Sequence, residues 1–182
     1  MIPFKRINYD KNEIKAVTEV LESGMVGLGE KVFEFENKLA KFVGAKYVVA
    51  VDSCTSALFL SLKYSTAPLV GVPSMTVPLA AHVVIEAGKE LVFTDNVDWV
   101  GNSYQLEGTT IVDSAHQLEK ISYRYLPRDS VACYSFYPTK NIGSADGGAI
   151  ATNDRDFANW ARQASCYGRI QTQKFANSWD YE

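Results

Sequence analysis

A lysine, an aspartate and several small hydroxyl residues are the parts of this sequence suited to chemistry, and each follows an apolar run. Lys140 closes the stretch Ser135-Phe136-Tyr137-Pro138-Thr139-Lys140, just past Val131–Ser135. A lysine there is either an ordinary solvated side chain or, when partly desolvated, an amine fit for Schiff-base chemistry. Asp113 follows Thr109–Val112 and opens Asp113-Ser114-Ala115-His116. A carboxylate at the end of a buried run is costly without a partner. It could bind a metal, cap a helix or pair with a protonated ring nitrogen. His116 is one of two histidines and, taken singly, reads as structural as readily as catalytic. After a third run comes Asp52-Ser53-Cys54-Thr55-Ser56-Ala57-Leu58, small residues opening a helix. That start is either a plain N-cap by Ser53 or Thr55, or a seat for a phosphate on the helix's free N–H groups. Ser135 could offer its hydroxyl to a phosphate near Lys140.

The elements that must position these residues can be read from hydrophobic periodicity. Two amphipathic helices open the chain. Asp10–Ser23 carries Ile14, Val17, Val20 and Leu21 on one face and ends at Gly24. Glu30–Val43 carries Val32, Phe35, Leu39 and Phe42 and ends at Gly44. Short apolar runs follow at 47–51, 69–72, 91–94, 109–112, 131–135 and 149–152, with helical stretches at 55–64, 79–87 and 154–167. Continuous apolar runs of this length fit strands covered on both faces. Strands alternating with helices predict an α/β fold with a mostly parallel central sheet flanked by helices. Ligands of such sheets bind at the carboxyl ends of the strands, where Ser53, Asp113, Ser135 and Lys140 all fall. The domains read as residues 1–45, helices and a glycine-rich loop, joined in one compact unit to an α/β domain at 46–182.

Composition narrows the function classes. The chain has 182 residues, 47% of them hydrophobic and 21% charged, with a net charge of -3. That suffices for a sizeable core and does not fit a disordered chain. The balance gives no electrostatic footprint for nucleic acid, and no apolar run reaches the length of a membrane span. Met1-Ile2-Pro3-Phe4-Lys5 lacks a signal-peptide core. The cysteines Cys54, Cys133 and Cys166 are scattered, with no zinc spacing, so a cytoplasmic protein with reduced thiols and no metal is expected. There is no Walker loop and no G-x-G-x-x-G after the first strand. In combination, a phosphate-type helix start, a strand-end aspartate and a strand-end serine with a lysine are the parts needed to hold pyridoxal 5'-phosphate.

With those pieces in that order, the chain resembles the DegT/DnrJ/StrS family of pyridoxal-phosphate sugar aminotransferases. The most specific matches are Asp113-Ser114-Ala115-His116, Ser135-Phe136-Tyr137-Pro138-Thr139-Lys140 and Asp146-Gly147-Gly148-Ala149. Ser23-Gly24 with Gly29, Phe35-Glu36, Ser53–Leu58, Pro73-Ser74-Met75-Thr76 and Ala87-Gly88 support them. The resemblance implies the large domain of a type I aminotransferase fold. It implies that Lys140 forms the Schiff base and shuttles protons, that Asp113 pairs with the pyridinium nitrogen, and that His116 lies beside the cofactor's phenolic oxygen. Cys54, Thr55, Ser56 and Ser135 match the phosphate cradle. The Gly24–Gly29 loop would approach the substrate, within a homodimer. The implied substrates are an amino acid, commonly glutamate, and a keto-sugar carried on a nucleotide.

Three departures from the family pattern carry expectations of their own. Val77 stands where an aromatic residue usually covers the cofactor ring, costing roughly 0.5–1.5 kcal/mol of stacking. Only Asn96–Gly108 connects the Asp95 region to the Asp113 strand, so one internal β-α unit is expected to be missing. Either neighbouring strands close the gap or the sheet is assembled differently. The chain ends at Asn177-Ser178-Trp179-Asp180-Tyr181-Glu182, where family members continue into a C-terminal small domain. An aminotransferase is therefore the leading reading. A cofactor-binding but catalytically weak relative or partner subunit is the alternative.

Overall fold

The computed structural model describes residues 8–168; the expectations about both chain ends lie outside them. Local chemistry sets the first two helices. In α1 (Lys11–Ser23), Asp10 accepts the Asn12 and Glu13 N–H groups while Glu13 reaches back to the Asp10 N–H, a reciprocal cap. Gly24, at φ 73°, ends it. Its apolar residues Ile14, Val17 and Leu21 stay exposed. By contrast α2 (Glu30–Val43) buries Glu36, Leu39 and Val43.

Strands β1 (Tyr47–Val51), β2 (Leu69–Pro73), β3 (Glu90–Thr94), β4 (Tyr104–Gln105), β5 (Ile111–Asp113), β6 (Val131–Ser135) and β7 (Gly148–Thr152) alternate with α3 (Cys54–Tyr64), α4 (Pro78–Glu86) and α5 (Arg155–Ala164). The main sheet runs β1-β7-β6-β5-β4, and β2 pairs with β3 beside it. Side chains alternate between two cores as a two-residue period requires. Val49, Cys133 and Ile150 face α3 and α5, while Val48, Ala132, Tyr134, Ala149 and Ala151 face α2.

The α/β architecture is as expected, but the sheet is mixed rather than a mostly parallel ladder. Only β5·β6 and β2·β3 pair in parallel; β1·β7, β6·β7 and β4·β5 are antiparallel. The cause is connection length and content. A parallel return needs a crossover, usually a helix. The chain from Ser135 to Gly148 makes only turns, so β7 folds back beside β6. Likewise β4 folds onto β5 through a turn at Gly108. Because β7 is antiparallel to both β1 and β6, those two strands run the same way. The carboxyl ends of β1, β5 and β6 therefore share one edge, which is what the site requires.

The connection between β3 and β5 bridges the two sheets. Among the described residues, 95–110 contain no helix. Glu107 instead exchanges two backbone hydrogen bonds with Gly71 of β2, at 3.0 and 2.9 Å. A Cβ on Gly71 would come within 2.7 Å of the Glu107 Cβ, so the close approach needs glycine there. On the far side of the sheet, Glu36 of α2 clasps β1 and α5. Its carboxylate accepts the Ala50 N–H at 2.8 Å and both terminal nitrogens of Arg162 at 2.9 and 2.8 Å. Arg162 also donates to the Val48 carbonyl. A buried ion pair this fully bonded explains why a charged residue sits inside α2's apolar stripe.

Candidate active site

The end of β5 places Asp113 at 5% exposure, with its carboxylate bonded from several sides. Oδ1 accepts the Ala115 N–H at 2.9 Å, and the Cys54 thiol lies 3.9 Å away. Oδ2 accepts the Tyr104 hydroxyl at 2.8 Å. Burial pushes the Asp113 carboxyl above its ordinary range, and these donors together with the charges of His116 and Lys140 pull it back. Burial, then Asp113, pushes the Cys54 thiol well up, so it stays protonated. The same two causes raise the Tyr104 phenol. Of the three roles open to Asp113 in the sequence, it does bond a turn N–H two residues on, and the charges of His116 and Lys140 act on it. Among the described residues no group of three His, Cys, Asp or Glu could hold a metal ion.

The turn after β6 brings Lys140 back toward β5. Its Nζ lies 3.1 Å from His116 Nε2. Burial and then the Lys140 charge lower the His116 pKa below the usual histidine value. At neutral pH His116 is therefore the neutral imidazole, and Nε2 accepts from the lysine ammonium.

The start of α3 completes the edge. Ser53, not Thr55, is the N-cap: its Oγ accepts the Ser56 N–H at 3.1 Å. The N–H groups of Cys54 and Thr55 thus head the helix, where the dipole favours an anion. Ser135 Oγ accepts the Tyr137 N–H at 3.3 Å, and Ser135 sits opposite Gly148 in register. Gly148 also presses on the helix start: a Cβ there would lie 2.3 Å from the Ser53 carbonyl carbon and 2.5 Å from the Cys54 nitrogen. This explains the Gly147-Gly148 pair. Gly148→Ala must push α3 off β7, and overpacking of this kind costs about 1–3 kcal/mol. The expected result is a lower urea midpoint together with weaker anion binding at the α3 start, checked by chemical denaturation and phosphate titration.

Val77 lies at the edge of the cluster, next to Thr76. It opens α4 and is 55% exposed. Thr76 joins the cluster, with Oγ1 2.9 Å from the Tyr104 hydroxyl. Sequence reasoning missed Tyr104, Trp99 and Thr76 as site residues. The Trp99 ring stands 4.8 Å from that of Tyr104 and 6.3 Å from that of His116. Two aromatics in a connection otherwise rich in polar residues were the available signal. Asp113, Cys54, His116 and Lys140 are brought together; Thr55, Ser56 and Ser135 flank the same edge around Gly148. A cleft lined by Tyr64, Thr110, Val131 and Phe157 lies at the opposite end of β5 and β6, away from these groups.

Comparison with known proteins gives a consistent picture. The DegT/DnrJ/EryC1/StrS aminotransferase family matches the chain at residues 8–114 and 123–180. The chain is 31% identical over 231 residues to the spore coat polysaccharide biosynthesis protein SpsC of Bacillus subtilis, covering 100% of this chain and 58% of that protein. That alignment is longer than the chain, so the relative carries extra residues inside the matched stretch. It is 29% identical over 201 residues to UDP-2-acetamido-2-deoxy-3-oxo-D-glucuronate aminotransferase of Pseudomonas aeruginosa, covering 87% of this chain and 56% of that one. Among solved structures, E. coli GDP-4-keto-6-deoxy-D-mannose-3-dehydratase with bound hydrated PLP matches at a TM-score of 0.71 and 20% identity, over 92% of this chain and 55% of that one. The chain thus spans a little over half the length of these relatives.

Proposed function

Since this chain belongs to the DegT/DnrJ/EryC1/StrS aminotransferase family, we propose that it takes part in pyridoxal-phosphate-dependent transfer of an amino group from an amino acid, glutamate in the first instance, to a keto-sugar carried on a nucleotide. The observation that carries this reading is the juxtaposition at one sheet edge of the buried Asp113 carboxylate with the Lys140–His116 pair. The donor set fits the cofactor: an anion seat, a buried carboxylate and an amine. Cys54, Thr55 and Ser56 at the α3 start, with the Ser135 hydroxyl, would hold its phosphate. Asp113 would hold it by the ring nitrogen and Lys140 by its amine. When bound, pyridoxal phosphate supplies an aldehyde carbon and a ring that takes up electrons.

The residues divide the work by protonation state. Asp113, as a carboxylate, would favour a proton on the ring nitrogen of the bound cofactor. Lys140 Nζ takes up a proton from substrate carbon and returns it, the general acid–base role. His116 Nε2 accepts a hydrogen bond from that amine and so orients it. The exposed Ile14, Val17 and Leu21 of α1 suit association with a second copy. No helix among the described residues is long and apolar enough to cross a membrane; with thiols free, a cytoplasmic setting is our reading.

The test has two arms. Protein loaded with pyridoxal phosphate is mixed with glutamate, and the visible band of the pyridoxal form is expected to give way to that of the pyridoxamine form. A nucleotide keto-sugar should then restore the first band and yield an aminated sugar. A cofactor band that no amino acid donor from a broad panel can change would favour the binding-only alternative.

A further inference from the structure

The connection between β3 and β5 does more than bridge the two sheets. Its strand β4 sets Tyr104 directly opposite Asp113 in antiparallel register, so the two side chains share one face. Tyr104 is 5% exposed. Its hydroxyl has a single proton, which it donates in a hydrogen bond to Asp113 Oδ2. While Asp113 is ionised, the Thr76 hydroxyl 2.9 Å away must therefore be the donor to the Tyr104 oxygen. Trp99, from the same connection, packs its ring on that of Tyr104 at 4.8 Å. The phenol is thus fixed on two sides and aims one hydrogen bond at the carboxylate.

We propose that Tyr104 is a positioning residue of the active site, holding the Asp113 carboxylate ionised and oriented, with Thr76 and Trp99 holding Tyr104 in turn. The inference rests on the reading of Asp113 as the partner of the cofactor's ring nitrogen. A carboxylate offers about four acceptor positions. The Ala115 N–H and the Cys54 thiol lie on Oδ1 and the Tyr104 hydroxyl on Oδ2, which leaves room for a further donor on Oδ2. The groups facing Asp113 from the neighbouring elements are Cys54 of α3, Tyr104 of β4, Cys133 of β6, Lys140 beyond β6, and His116 on its own turn. Both thiols are pushed up by burial, Cys133 to about 12, so neither offers a charge. Beside the Ala115 N–H and the weakly donating Cys54 thiol, Tyr104 gives Asp113 a hydroxyl hydrogen bond. In a buried site such a bond decides whether a carboxylate stays charged. The residue comes from the helix-free connection between β3 and β5.

The test compares wild type, Tyr104→Phe and Thr76→Val. In the protein without cofactor, the Asp113 carboxyl is titrated by carbon NMR, assigned with Asp113→Asn. Its midpoint is expected to move upward in Tyr104→Phe and, by less, in Thr76→Val, which keeps the phenol and its packing. Affinity for pyridoxal phosphate at neutral pH is expected to fall roughly tenfold in Tyr104→Phe, with the acid limb of binding moved to higher pH. An unchanged carboxyl midpoint in folded Tyr104→Phe would overturn the proposal. Tighter cofactor binding by that variant would also overturn it, because the phenol would then be an obstruction. Should Tyr104→Phe fail to fold, Thr76→Val decides by the same titration. Wild type that binds no pyridoxal phosphate would sink the proposed function, while the titration would still report on Tyr104.

Discussion

Lys140→Ala is expected to abolish amino transfer and the visible band that pyridoxal phosphate develops on the protein. In the proposed function the Lys140 amine would hold the cofactor covalently and move a proton at substrate carbon. General acid–base assistance alone is worth on the order of 10²–10⁴-fold, and loss of the covalent hold adds to it. The fold should survive, because Lys140 lies in a turn beyond β6 rather than in either core. Removing its charge also has a second sign to check. The Lys140 charge lowers the His116 pKa and helps to lower that of Asp113. In Lys140→Ala both groups should therefore hold protons to higher pH than in wild type, readable by NMR titration. Retained transfer at wild-type rate would remove Lys140 from the chemistry.

Asp113→Asn should produce opposite effects on stability and on function. Burial raises the Asp113 carboxyl pKa in the folded chain. For a group raised on folding, stability is complete below the unfolded carboxyl pKa and is lost as pH rises through the folded one. The wild-type protein without cofactor should thus weaken as pH rises out of the acid range. The asparagine variant lacks that loss and should be the more stable of the two at neutral pH. With pyridoxal phosphate the order should reverse, since wild type gains more by ligand linkage. Transfer should fall on the order of 10²–10³-fold, as for the loss of one preorganised charged contact. Urea midpoints across pH, with and without cofactor, check both signs. A cofactor-free asparagine variant less stable than wild type at neutral pH would show the carboxylate to be net stabilising.

Much of the framework was legible because it is written in local chemistry. The α1 and α2 boundaries follow from Asp10 with Glu13, from Gly24 and from Gly44, and the observed helices start and end within a residue of the expected ones. Asp113 and Lys140 stood out because each follows a buried run, and the strand ends do meet. What stayed hidden depends on pairing. The antiparallel neighbours of β1 and β6 follow from a helix-free return, which periodicity does not report. Strand β4 is two residues long, too short to show any period. Tyr104 matters only because register sets it opposite Asp113, and no motif marks it. Thr76 enters through its hydroxyl contact with Tyr104, which no motif announces. Ser53 rather than Thr55 caps α3, a choice that the run of hydroxyl residues left open.

The central claim is that Lys140 and Asp113 form one site for pyridoxal phosphate. It is tested most directly by incubating wild-type protein with the cofactor, reducing with borohydride to turn a carbon–nitrogen double bond into a stable single bond, and mapping the product by mass spectrometry. A pyridoxyl group is expected on the peptide carrying Lys140, with markedly less of it in Asp113→Asn. Label spread over surface lysines, or none at Lys140, would contradict it.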